Sequence, residues 1–300
     1  LFTYFNGNAP HEEQICYAIS DDGYNFTPLN HGKPVINSDS IALTGCVRDP
    51  HILRCEDGKT FYMVVTDMKS SLGWSSNRGM VLLKSTDLIN WTHSTVHFPT
   101  KYPKKWGNVI RVWAPETVYD NKTGKYMVFY SLRTSDNNSF DRIYYSYVND
   151  DFTDLEGEPI YMFDNGRATI DGDIVFNEAD NLYHLFYKSE SGRGIFQATA
   201  KQLTPEPGKR PGSQWTMIPG NVEQTQEAVE GVGVCKSIDG KSWIIMYDCY
   251  MNGHYQFCKS TDLKTFSFVQ NTKTEGKFTP RHGTIIPITQ AEKDRLLKEF

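Results

Sequence analysis

The sequence predicts an all-β fold, a single β-propeller domain of five blades spanning residues 1–300. Three observations predict it. A pattern of four short apolar runs is repeated along the chain, hairpin turns separate the runs, and a fifth copy is divided between the two ends. Four-stranded units repeated around an axis are the blades of a propeller.

The first unit reads RDPHILR (48–54), TFYMVVTD (60–67), GMVLLKSTDLINW (79–91) and THSTVHF (92–98). The second reads APETVYD, KYMVFYSL, RIYYSYVNDDF and EPIYMF. The third reads IDGDIVF, LYHLFYKS and RGIFQATAKQL, with a weaker run near QWTMIP. The fourth reads EGVGVCKS, SWIIMYDC, YQFCKSTDLKTF and SFVQN. Between first and second runs stand CEDGKT, DNKTGK, NEADN and SIDGK, all with hairpin-turn chemistry. A Ser-x-Asp turn recurs in STDLINW and STDLKTF, where Asp bonds backbone amides two residues on.

The fifth unit has its first strand in RHGTIIPIT (281–289), while LFTYFNG, QICYAISDDGYNF and TPLNHGKPVI at the chain start supply the other three. The 1–7 and 282–288 segments should therefore pair and close the ring. QAEKDRLLKEF has helical periodicity and is expected as a short cap outside it.

Composition narrows the function. Hydrophobic residues make up 39% of the chain, enough for a sizeable core. Aromatics reach 13%, which suits strands and also sugar-stacking surfaces. A net charge of −5 with no basic run argues against a nucleic-acid partner, and no apolar run has membrane-spanning length. The chain is expected to be a monomer. It starts at Leu1 inside a strand-like run, which reads as a processed or trimmed terminus; the expected location is secreted or periplasmic. The six cysteines show no zinc-type spacing and fall mostly in strand-like runs, so buried thiols are expected rather than a disulfide framework.

First strands line the channel of a propeller, so their opening residues converge on one mouth. Those openings carry Asp49, Glu116, Asp171, Glu230 and His282. Clustered carboxylates repel and perturb one another, a mark of an active site.

In that order, VRDPHI, VWAPETVYD, TIDGDIVF and VEGVGVCK, with the late RHG, resemble the blade-opening motifs of glycoside hydrolase family 43 over nearly the whole chain. The resemblance implies an inverting glycosidase that releases pentose from plant polysaccharide side chains or oligosaccharides. α-L-Arabinofuranosidase is the first expectation and β-xylosidase, or another xylan-active member, the alternative. It implies Asp49 as general base, Asp171 as the carboxylate that orients and tunes the acid, and Glu230 as general acid. An inverting pair stands about 6.5–9.5 Å apart to admit a water, a span that opposing blades can hold. Trp74, Trp113, Glu116, Arg281 and His282 are expected on the substrate side, with Asp173 a supporting partner of Asp171. His282 resembles a channel histidine linked through water to a structural calcium; no cofactor is required. Two other readings compete. Fructan hydrolases place Arg-Asp-Pro in a middle blade after an early Asn-Asp-Pro-Asn motif, which is missing here. A non-catalytic sugar-binding propeller would lack one of the three carboxylates.

Overall fold

Period-two alternation sends successive side chains of a buried strand to opposite faces. In Phe61-Tyr62-Met63-Val64-Val65 both faces are covered: all five residues are buried, alternate ones joining different apolar clusters. The computed structural model describes residues 1–75, 77–190 and 194–300.

In chain order, β1 (Phe2–Tyr4), β2 (Cys16–Ile19) and β3 (Thr27–Pro28) open the molecule. One sheet then contains β4 (Val47–Arg54), β5 (Phe61–Asp67), β6 (Gly79–Ser85) and β7 (Thr92–His97), with the short helix α1 (Phe98–Lys101) after it. The next contains β8 (Val109–Asp120), β9 (Lys125–Thr134), β10 (Arg142–Val148) and β11 (Leu155–Phe163). The third contains β12 (Thr169–Asn177), β13 (Leu182–Ser189), β14 (Ile195–Ala200) and β15 (Thr216–Ile218). The fourth contains β16 (Glu230–Lys236), β17 (Trp243–Cys249), β18 (His254–Ser260) and β19 (Ser267–Lys273). β20 (Gly283–Ile285) and α2 (Gln290–Glu299) end the chain. Arg193, the expected first residue of the third unit's third run, lies outside the described residues.

The last sheet has the order β20-β1-β2-β3, with Phe2 opposite Ile285 and Tyr4 opposite Gly283. The expected seam closes the ring. Five apolar clusters lie one between each pair of neighbouring sheets, and the cluster of Phe2, Tyr4, Met246 and Phe257 joins the last sheet to the β16–β19 blade. The fold is a five-bladed β-propeller.

Two elements differ from expectation. The run 27–36 keeps only Thr27–Pro28 as a strand, with Ile36 rejoining by an isolated bridge to Ile15; Pro28 has no N–H to donate, and Asn30 and His31 turn to positive φ just beyond it. The terminal helix is more than an outer cap. Thr289 and Glu292 form its capping box, Leu296 is buried with Tyr17 and Ile52, and Glu292 pairs with Arg54 at 2.7 Å. All six cysteines are unbonded thiols, and only Cys235 is not fully buried. Among the described residues no helix is long and apolar enough to cross a membrane.

Candidate active site

The inner strands of four blades break their pairing at matching places. The break falls between Arg48 and His51 in β4, Trp113 and Glu116 in β8, Ile170 and Asp173 in β12, and Glu230 and Gly233 in β16. The first residue inside each break has positive φ: Asp49 at 51°, Ala114 at 42°, Asp171 at 49° and Gly231 at 60°. A bulge of this kind bends the strand and re-aims its side chains. For a residue other than glycine it costs about 1–3 kcal/mol, and such strain concentrates at functional sites.

The bulges sort the channel into levels. Asp49, Asp171 and Glu230 reach the mouth, where with Arg281 and His282 they line a cavity of about 140 Å³. Asp49 Oδ2 accepts from the Thr66 hydroxyl at 2.8 Å. Thr66 in turn accepts from the Ala114 N–H at 2.9 Å, so its single proton is directed to Asp49. Asp171 Oδ2 accepts from the Gly231 N–H at 3.0 Å. His282 Nδ1 lies 3.5 Å from Asp49 and 3.8 Å from Asp171, so one ring nitrogen serves both carboxylates.

Charge is set by this geometry. Burial opposes a cation on His282, but Asp171 and Asp49 outweigh it and hold the imidazolium up to about 9. Burial likewise pushes Asp49 upward, yet His282, Arg48 and Thr66 leave it below the ordinary carboxylate value. Asp171 is raised to about 6 by burial, with Glu230 and Asp49 adding to it against His282. Glu230 stands opposite Asp248 in the β16–β17 ladder, and burial, opposed by Arg281, raises Asp248 to about 7. Arg281 bridges the two side chains, donating to Glu230 at 2.9 Å and to Asp248 at 2.8 Å.

Below the mouth lie His51, Glu116 and Asp173. His51 Nδ1 accepts from the Thr117 N–H at 3.1 Å, so its proton sits on Nε2, which faces Glu116 at 3.7 Å. Burial drives His51 down to about 3 and, with help from Asp173, Asp171 and Asp49, raises Glu116 well above its usual range. Burial lifts Asp173 to about 7, although its Oδ2 accepts from the Val234 N–H. Among the described residues Glu116 Oε2 has no hydrogen-bond partner. A hard cation such as calcium takes oxygen ligands: Glu116 offers its unpartnered Oε2 and Asp173 the oxygen that Val234 leaves, whereas His51, with its proton on Nε2, offers none.

Trp74 and Trp113 meet edge to face on one wall, with Arg48 over the Trp74 ring and Arg111 over Trp113. Trp74 is 49% exposed at the rim, as its loop position predicts. The structure thus brings Asp49, Asp171, Glu230, Trp74, Trp113, Arg281 and His282 to one cavity. Glu116 is corrected: at 2% exposure it lies beneath the cavity, out of reach of a substrate. Asp173 shares that lower level. Gly231 is needed for its positive φ and because a Cβ there would meet the His282 ring at 3.0 Å. Sequence reasoning misses Asp248 and Arg48. Asp248 had a signal: a carboxylate closing an otherwise apolar second strand, matched by Asp67 in VVTD.

The family model of a probable glycosyl hydrolase domain, related to glycosyl hydrolase family 43, matches residues 1–294. The chain belongs to the family-43-related glycosyl hydrolases. This glycosyl hydrolase is 28% identical over 248 residues to an α-L-arabinofuranosidase of Bifidobacterium longum subsp. longum. That match covers 71% of the chain, which spans only 23% of the relative's length. A mutant family-43 protein from Bacillus licheniformis shares its fold at a TM-score of 0.58 and 14% identity, over 96% of this chain and 58% of that one. A family-43 enzyme from Xanthomonas citri, complexed with xylotriose, matches at 0.55 and 12% identity over 75% and 73%.

Proposed function

We propose that this glycosyl hydrolase releases L-arabinofuranose from plant polysaccharide side chains or oligosaccharides with inversion at the anomeric carbon. The observation that carries the reading is the meeting of Asp49, Asp171 and Glu230 in one strained, tryptophan-walled cavity. Asp49, kept ionised by His282, takes a proton from water as the water oxygen attacks the anomeric carbon. The bond to the leaving oxygen breaks, and Glu230 supplies the proton that oxygen needs. Arg281 holds Glu230 Oε1, which presents Oε2 to the leaving group. Asp171 fixes the Gly231 backbone and with it the direction of Glu230. A calcium ion held by Glu116 and Asp173 would add positive charge beneath Asp49 and Asp171.

The arabinofuranosidase relative favours arabinofuranose. The xylotriose bound by the Xanthomonas citri enzyme favours a β-xyloside as the second reading. A panel of nitrophenyl pentosides separates them, with the α-L-arabinofuranoside expected to turn over fastest. Proton NMR of the first-formed sugar should show the inverted anomer. A retained anomer would sink the two-carboxylate water mechanism, and binding without turnover would leave a sugar-binding propeller.

A further inference from the structure

A second group of ligating side chains lies apart from the channel, beside β16, β17 and β18. Cys249 ends β17, His254 opens β18 directly opposite it, and Glu227 lies just before Glu230 on the approach to β16. One ligand atom from each of Glu227, Cys249 and His254 lies within 4.8 Å of the other two.

The ring orientation of His254 is informative. Its Nδ1 is 3.3 Å from the Asn252 carbonyl oxygen, which can only accept, so Nδ1 carries the proton. Nε2, the other ring nitrogen, faces Glu227 Oε2 at 3.0 Å. Among the described residues neither atom has a hydrogen-bond partner of good geometry, both atoms are shut away from solvent, and the Cys249 thiol lies in hydrogen-bond contact with the Glu227 side chain. A positive charge, either a proton on the ring or a metal cation between the two atoms, would join them, and Cys249 lies beside the pair as a third ligand.

We propose that Glu227, Cys249 and His254 form a zinc site, with water in the fourth position. The sulfur, imidazole and carboxylate set selects zinc over calcium or magnesium, which take oxygen ligands. Donation of the other ring N–H to a backbone carbonyl is how a ligating histidine is held. Tetrahedral bonds of about 2.0–2.3 Å set ligand atoms about 3.3–3.8 Å apart, so small side-chain movements, with the 3.0 Å Glu227–His254 pair opening slightly, complete the site. The ligand atoms are covered, but Glu227 and His254 are 32% and 13% exposed as side chains, so the site lies just under the surface. Binding takes Cys249 as thiolate and releases its proton to solvent. The ion ties the segment leading to Glu230 to the β17–β18 hairpin.

The test is titration of the chelator-treated full chain with zinc, followed by calorimetry, and with cobalt(II), followed by absorption. One equivalent should bind, with a thiolate-to-cobalt charge-transfer band. Cys249→Ser should abolish the band, and His254→Gln and Glu227→Gln should each weaken zinc more than tenfold. Cys55→Ser, in the β4–β5 hairpin, should change nothing. Glu227→Gln removes a partly exposed carboxylate, so it reports binding even if a Cys249 or His254 variant fails to fold. No binding by the native protein, or binding that survives Glu227→Gln and His254→Gln, would overturn the site.

Discussion

Asp49 and Glu230 both line the mouth, but different neighbours hold them, and kinetics should tell them apart. Asp49→Asn deprives the attacking water of its base and should cost about 10²–10⁴-fold in kcat on every substrate. Glu230→Gln should be as severe on natural oligosaccharides but milder on nitrophenyl glycosides, whose acidic leaving group needs little protonation. Equal losses on both substrate types would remove Glu230 from the role of acid. The imidazolium between the two aspartates makes a separate prediction. His282→Gln removes the charge that holds Asp49 down, so the carboxyl rises and stays protonated to higher pH. The acidic limb of kcat/KM should then move up by about one pH unit or more, since opposite charges at this range shift a carboxyl by about 1–3 units. An unmoved limb would mean that Asp49 is not the titrating base.

At the scale of elements, the bulges explain what sequence can and cannot show. Strand runs, their turns and the acidic openings are legible, because alternation and turn chemistry are local. Asp49 and Asp171 sit inside their bulges, while Glu116 and Asp173 come after theirs. The extra residue slides everything behind it one level down the channel, and no periodicity marks where it falls. Glu116 therefore reads as a mouth residue and is a buried one. Arg281's bridging role is hidden for another reason: it needs Asp248, which is its neighbour only across the boundary between the β16–β19 blade and the last one. The Ser-x-Asp turns form as expected. Asp87 accepts from the Ile89 and Asn90 amides at 2.9 and 2.7 Å, and Asp262 repeats this with Lys264 and Thr265. Asp87→Ala should lower stability by about 1 kcal/mol, as loss of a helix cap does. For a chain of 300 residues that corresponds to a melting-temperature drop of about 1.5–2 °C by calorimetry. Burial works against the Asp87 charge, but its bonds to Asn90 and Ile89 outweigh it and hold the carboxyl down to about 2. The contribution is thus present above the unfolded value near 3.8 and lost as pH falls through 2, where mutant and parent should converge. A difference that persists at the acid end would assign the effect to packing.

For the whole molecule, ring closure is legible because the fifth unit lacks three strands at one end of the chain and finds them at the other. Five inter-blade clusters then share the core, with no single centre. The blade that closes the ring is its thinnest: β20, β1, β2 and β3 have 3, 3, 4 and 2 residues. Its pairing joins residues more than 250 positions apart, the kind of contact that forms late and opens by partial unfolding. In native-state hydrogen exchange, the amides of β1 and β20 should therefore lose protection well before those of β9 or β13. Arg281 and His282 stand at the entrance to β20, so each opening of the seam carries away the cation between the aspartates and the clamp on Glu230. Active sites would then be lost at the rate the seam exchanges, with the other four blades still intact.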